Sequence, residues 1–96
     1  VLDRTGDGME HAGYAYSAES GIRMDVYTDR IAMQLYSANG IEGQVGKGKT
    51  VYPDRSGFCL ETQYFPNAIN EPKFVTPVFE AGVPYESKTV YRFSVQ

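Results

Sequence analysis

The chain has 96 residues, 42% hydrophobic and 22% charged, which suits one domain or one piece of a larger one and excludes a disordered tail. A formal net charge of −3 with no basic run argues against nucleic acid and anionic membranes as partners, and no apolar stretch approaches the roughly 18 residues of a spanning helix. The single cysteine, Cys59, excludes an internal disulfide, and with His11 as the sole histidine it falls short of a structural metal site.

In chain order, "LDRTGDGMEH" is polar and glycine-rich and predicts a loop or tail; as a calcium loop it lacks the ligand spacing and the closing Glu. "HAGYAYSAESGIRMDVYTD" predicts two alternating strands joined by a turn at Ser20 and Gly21. In the second strand Ile22, Met24, Val26 and Thr28 share one face, against Arg23, Asp25 and Tyr27. "IAMQLYSANG" alternates again, with Ile31, Met33 and Leu35 opposed to Ala32, Gln34 and Tyr36. The following "IEGQVGKGKTVYPDRSG" predicts a mobile loop.

"SGFCLETQYFP" predicts a strand with Phe58, Leu60, Thr62 and Tyr64 on one side and Cys59, Glu61, Gln63 and Phe65 on the other. "PNAINEPKFVTP" is too rich in proline and asparagine for regular structure, and "EAG" makes a turn. The chain closes on a half-buried strand in "VPYESKTVYRFSVQ", with Tyr85, Ser87, Thr89, Tyr91, Phe93 and Val95 against a wet face of Glu86, Lys88, Arg92 and Ser94. The expected class is all-β, about five antiparallel strands in a meander. Several faces are too aromatic to stand in water, so further sheet is expected to pack alongside.

The chemistry centres on Glu61. It leaves a strand face beside Gln63, about 7 Å along the strand, and Gln34 leaves its own strand between Ala32 and Tyr36. A carboxylate among apolar and amide neighbours is the setting in which a general base is tuned. Amides offer donors and acceptors to sugar hydroxyls, and aromatic rings stack on sugar C–H faces. The plain alternative is a solvent-facing Glu with ordinary strand glutamines, and the thirteen aromatic residues are mostly what strand propensity supplies. Cys59 reads as a small buried hydrophobe rather than a nucleophile served by His11. His11 reads as a surface residue at a strand start.

"VYPDRSGFCLETQYFPNAINEPKF" followed by "AGVPYESKTVYRFSV" resembles the C-terminal region of the aldose 1-epimerase (galactose mutarotase) family. In register with that pattern are Lys47 to Lys49, Ser56 to Gln63, Pro66, Ala68, Asn70, Pro72, Phe74, Gly82, Tyr85, Tyr91 and Phe93. Upstream, "SGIRMDVYTDRIAMQLYSANGIEG" is similar to the family's S-G-R-x-L-x-V-x-T stretch and its Q-x-Y-x-x-N strand. The resemblance spans essentially the whole chain. It implies that residues 1–96 are the C-terminal segment of a large antiparallel β-sandwich, the mutarotase-like supersandwich, whose upstream part lies outside this chain.

By resemblance, Glu61 is the catalytic base that deprotonates the anomeric hydroxyl, and Gln34 contacts the sugar. Gln63, Asn39, Tyr36 and Phe58 match family positions as supporting or packing residues. Asn67 departs from the family's usual Asp and Glu71 from its frequent His. The family's acid His, second His, Asn-Arg pair and substrate Asp fall upstream, and His11 matches neither His. The implied reaction interconverts α and β anomers of an aldohexose, galactose or glucose, with no cofactor and no metal. The implied partners are that monosaccharide and the missing N-terminal part of the protein, whether joined or as a separate chain, and the chain alone is expected to be nearly inactive. Other readings are a non-catalytic carbohydrate-binding module, an orphaned domain with only a structural or interaction role, and a relative acting on hexose 6-phosphates, for which Lys47, Lys49 and Arg55 are the candidate phosphate contacts.

Overall fold

The computed structural model describes all residues from Val1 to Gln96. Alternating apolar and polar residues form seven strands: β1 (Glu10–Tyr16), β2 (Ile22–Thr28), β3 (Ala32–Tyr36), β4 (Gln44–Val45), β5 (Val51–Tyr52), β6 (Cys59–Gln63) and β7 (Thr89–Val95). The chain is all-β, and every pairing is antiparallel. The topology corrects the expected simple meander. β1, β2 and β7 form one sheet in that order, β3 pairs with β6, and β4 with β5.

The β1–β2 hairpin closes with Ser17 N–H on the Ile22 carbonyl at 3.0 Å and Gly21 N–H on the Ser17 carbonyl at 2.8 Å. Gly21 has φ 73°, and a Cβ there would lie 2.9 Å from the Gln96 carbonyl oxygen, so this turn needs glycine. Register shifts between His11 and Gly13, where a bulge leaves His11 on the outer face beside Tyr14 and Tyr16.

Register then fixes the faces, since directly paired residues project together. Thr28, Val26, Met24 and Ile22 of β2 oppose Thr89, Tyr91, Phe93 and Val95 of β7, giving the inner face expected from alternation. Val26 and Thr28 are fully buried at 0% exposure. There the β3–β6 pair meets the sheet: the Thr62 hydroxyl lies 2.6 Å from the Thr89 hydroxyl, which lies 3.2 Å from that of Thr28. The Tyr91 hydroxyl donates to the Leu60 carbonyl at 2.7 Å.

The other end of the inner face is open. Phe93 is 65% and Val95 81% exposed, and Ile22, Tyr91 and Phe58 are also exposed, so the β7 face expected to be half-buried is uncovered here. The accessible surface is 7461 Å², roughly 2,000 Å² above what a compact protein of this mass presents. The radius of gyration is 16.7 Å against about 13 Å for a compact domain of about 100 residues.

Two other expectations are corrected and a third is narrowed. The predicted loop at residues 41–57 contains a small hairpin, β4 and β5, joined by a 3-10 turn at Lys47–Lys49 and tied back by Gly40 and Glu42 N–H groups on the Asp54 carboxylate. Of the loop or tail expected at the N-terminus, the chain forms the loop, anchored where Arg4 donates to the carbonyls of Gly6, Gly8, Thr28 and Arg30. The last strand begins at Thr89, because Asp29 holds the preceding Ser87 and Lys88 through hydrogen bonds of 3.1 Å each. No helix is long and apolar enough to cross a membrane.

Candidate functional site

β3 and β6 run antiparallel with Gln34 paired directly to Glu61. Side chains of such a pair leave the same face with Cβ atoms about 4.5–5.5 Å apart. Ala32 opposes Gln63 on one side of this pair, and Tyr36 opposes Cys59 on the other. Met33 with Thr62 and Leu35 with Leu60 project from the opposite face, where Thr62 meets the three-stranded sheet.

The loops at both ends hold this arrangement. Beyond Tyr36, the Arg55 guanidinium donates to the Asn39 side-chain oxygen at 2.9 Å, Arg55 N–H donates to the Ala38 carbonyl at 3.1 Å, and the Tyr36 hydroxyl donates to the Asn39 carbonyl at 2.8 Å. Beyond Gln63, Asn67 adopts the left-handed conformation at φ 58° and accepts from the Asn70 amide at 2.5 Å. Asn and Asp both tolerate that conformation, so the departure from the family's Asp at Asn67 keeps the turn.

Glu61 and Gln34 are both exposed, so of the two settings open from the sequence, a carboxylate among apolar neighbours and one facing solvent, the second is found in this chain. An open groove of about 400 Å³ passes Glu61 and is walled by Met24, Phe58, Leu60, Tyr91 and Phe93. Through Met24, Phe58 and Phe93 it continues into a second hollow of about 280 Å³ that reaches Ile22 and Ala15. The groove lies on the Leu60 side of β6, toward the three-stranded sheet, whereas the Glu61 side chain leaves the opposite face.

Cys59 is exposed beside Glu61 rather than buried. His11 does not serve it. On the outer face of the other sheet its Nε2 lies 2.8 Å from Asp25, whose carboxylate also accepts two bonds from Arg23 at 2.7 and 2.8 Å. Those donors, the Arg23 guanidinium first, hold the Asp25 carboxyl well below the usual carboxylate range. Lys47 and Lys49 sit on the exposed turn, and Arg55 is committed to Asn39, so nothing favours a phosphate pocket.

Sequence reasoning passed over Asp29 and Arg30, between β2 and β3. Arg30 bonds Asp29 at 2.9 Å and the Tyr85 hydroxyl at 3.0 Å, with its guanidinium carbon 5.0 and 5.4 Å from the Tyr64 and Tyr85 ring centres. The Arg30 guanidinium first, then the Lys88 N–H and the Ser87 hydroxyl, stabilise the Asp29 carboxylate and hold its pKa below the ordinary value. Asp25 and Asp29 thus share a sign. Their stabilising contribution is complete above the unfolded carboxylate range near pH 4 and is lost as pH falls through their lower folded values. Circular dichroism melts at decreasing pH are expected to stay level down to about pH 5 and drop below about pH 4, with Asp25→Asn flattening part of that drop.

Strand order, register and the exposed Glu–Gln pair define an all-β protein of antiparallel sheets with a polar site on a sheet face. The family model for aldose 1-epimerase matches residues 2–92, and the chain belongs to that family. It is 42% identical to the galactose mutarotase of Homo sapiens over 81 residues, 83% of this chain, and 45% identical to that of Sus scrofa over 89 residues, 91% of this chain. It is 34% identical to the aldose 1-epimerase of Escherichia coli (strain K12) over 95 residues, 97% of this chain. The chain covers 24%, 24% and 28% of those three proteins, so it spans about a quarter of the length of the relatives it matches.

Proposed function

We propose that this chain is the base-bearing part of an aldose 1-epimerase and forms the C-terminal segment of a larger β-sandwich. Glu61 takes the proton from the anomeric hydroxyl of an aldohexose, galactose or glucose, while Gln34 hydrogen-bonds a hydroxyl of the same sugar. An acid from outside the chain protonates the ring oxygen. The C1–O5 bond breaks to give the open aldehyde, rotation about C1–C2 turns the carbonyl over, and reclosure with the proton transfers reversed gives the other anomer. The sugar's atoms and oxidation level are unchanged.

The observation that carries this reading is the direct pairing of Gln34 with Glu61 in a chain of this family. One pyranose is large enough to touch both side chains, and an amide can both donate to and accept from its hydroxyls. The open apolar face supports the second part of the reading. Its excess of roughly 2,000 Å² is the area one side of an obligate interface covers. Upstream sheet seated there would bring the part of the protein that carries the missing acid.

Polarimetry of freshly dissolved α-glucose tests it. The chain alone is expected to accelerate mutarotation little over buffer, because a base without its acid forfeits roughly 10²–10⁴-fold, whereas the full-length gene product is expected to accelerate it strongly. Strong acceleration by the isolated chain would mean that the acid lies within these residues.

A further inference from the structure

Arg30 carries more than its place in a turn requires. Its side chain is only 12% exposed and its charge faces Asp29 at 2.9 Å. Its backbone is held as well: Arg30 N–H donates to the Thr28 hydroxyl at 3.0 Å, and its carbonyl accepts from Arg4 at 3.0 Å. The guanidinium reaches Tyr64, the residue that follows β6, and Tyr85 in the connection to β7, and Phe79 packs on both tyrosines with ring centres 6.0 and 4.5 Å away. Asp29 completes the clasp by holding Ser87 and Lys88.

We infer that Arg30 is a positioning residue for the Gln34–Glu61 pair. Gln34 lies on the strand that Arg30 leads into, and Glu61 on the strand that Tyr64 ends. A guanidinium wedged between Tyr64 and Tyr85 pins the first end of β3 to the last end of β6. A slip of one residue in either strand would send one of the two side chains to the opposite face. β3 and β6 are short and pair only with each other, so their register has no other strand to enforce it. The hydroxyl contact of Thr62 with Thr89 fixes β6 against the large sheet but does not touch β3. The significance of this positioning rests on the function proposed above.

Arg30→Gln and Arg30→Lys in this chain test it by amide hydrogen exchange and by the nuclear Overhauser contact between the Gln34 and Glu61 side chains. Arg30→Gln is expected to speed exchange in the β3–β6 ladder about tenfold and to weaken the contact, with the β1–β2–β7 amides unchanged. Arg30→Lys should fall between, since it keeps the charge beside Asp29 but not the planar stack between the tyrosines. Equal acceleration in both sheets would reduce Arg30 to a general stabiliser and overturn the inference, as would no change in either. If Arg30→Gln does not fold, Tyr85→Phe, which removes only the hydroxyl partner, is read the same way with a smaller shift. Galactose titration forms a separate arm, with resonances of Gln34 and Glu61 responding in the unsubstituted chain and less in Arg30→Gln. No response in the unsubstituted chain counts against the sugar reading, while the exchange data still decide the positioning.

Discussion

Glu61→Gln in the full-length gene product is expected to slow mutarotation by roughly 10²–10⁴-fold with sugar binding retained. Gln is close to Glu in shape and keeps a hydrogen-bonding oxygen, yet it cannot take up the proton of the anomeric hydroxyl. Folding should be untouched, because Glu61 is exposed and has no hydrogen-bonding partner whose loss would be felt. The measurement pairs polarimetric rate with galactose-induced shifts at Gln34, so loss of binding and loss of chemistry are read separately. A rate unchanged by the substitution would remove Glu61 as the base. A parent protein that binds galactose at Gln34 but shows no rate to lose would instead be a carbohydrate-binding module on the same scaffold.

Alternation alone placed Gln34 and Glu61 on the faces they occupy, and it separated Val26 and Thr28 from Arg23 and Asp25, because the two-residue period of a strand is a local property of the chain. Pairing is not local. Nothing in "IAMQLYSANG" says that its partner lies beyond the glycine-rich loop, so the direct opposition of Gln34 and Glu61 became visible only through register. The same limit hid the return of β7 onto β2. Cys59 is exposed although a free cysteine favours burial, because it leaves β6 on the same open face as Glu61. Arg30 left no periodic signal: a cation between two strands is indistinguishable from a solvated turn residue until Tyr64 and Tyr85 arrive from distant segments. The roles of Glu61 and Gln34 came from the resemblance of "LETQ" and "QLY" to family motifs, never from spacing.

The joint between the two sheets should be the most sensitive point in the chain, and Thr28→Val should expose it. Thr28 is wholly buried, and its hydroxyl meets both the Thr89 hydroxyl at 3.2 Å and the Arg30 N–H at 3.0 Å. Valine fills nearly the same space but leaves those partners without their bond in a dry place. A buried polar group so orphaned costs about 1–3 kcal/mol, a large share of the roughly 5–15 kcal/mol that separates a folded domain from its unfolded chain. Thr89→Val alone should also destabilise, because the Thr89 hydroxyl is the middle link between Thr28 and Thr62. The double variant, Thr28→Val with Thr89→Val, should cost less than the two separate losses, by about 0.5–3 kcal/mol of coupling, since each single change already breaks the bond they share. Urea unfolding of the four proteins gives that coupling directly. Strict additivity would mean that the Thr28–Thr89 hydroxyl bond is incidental and that β2 and β7 are held by their backbone ladder alone. A coupled result would mean that β2 and β7 are tied through the Thr28–Thr89 hydroxyl bond, and the same cycle run on Thr62 and Thr89 would then read the link from that pair to the β6 strand bearing Glu61.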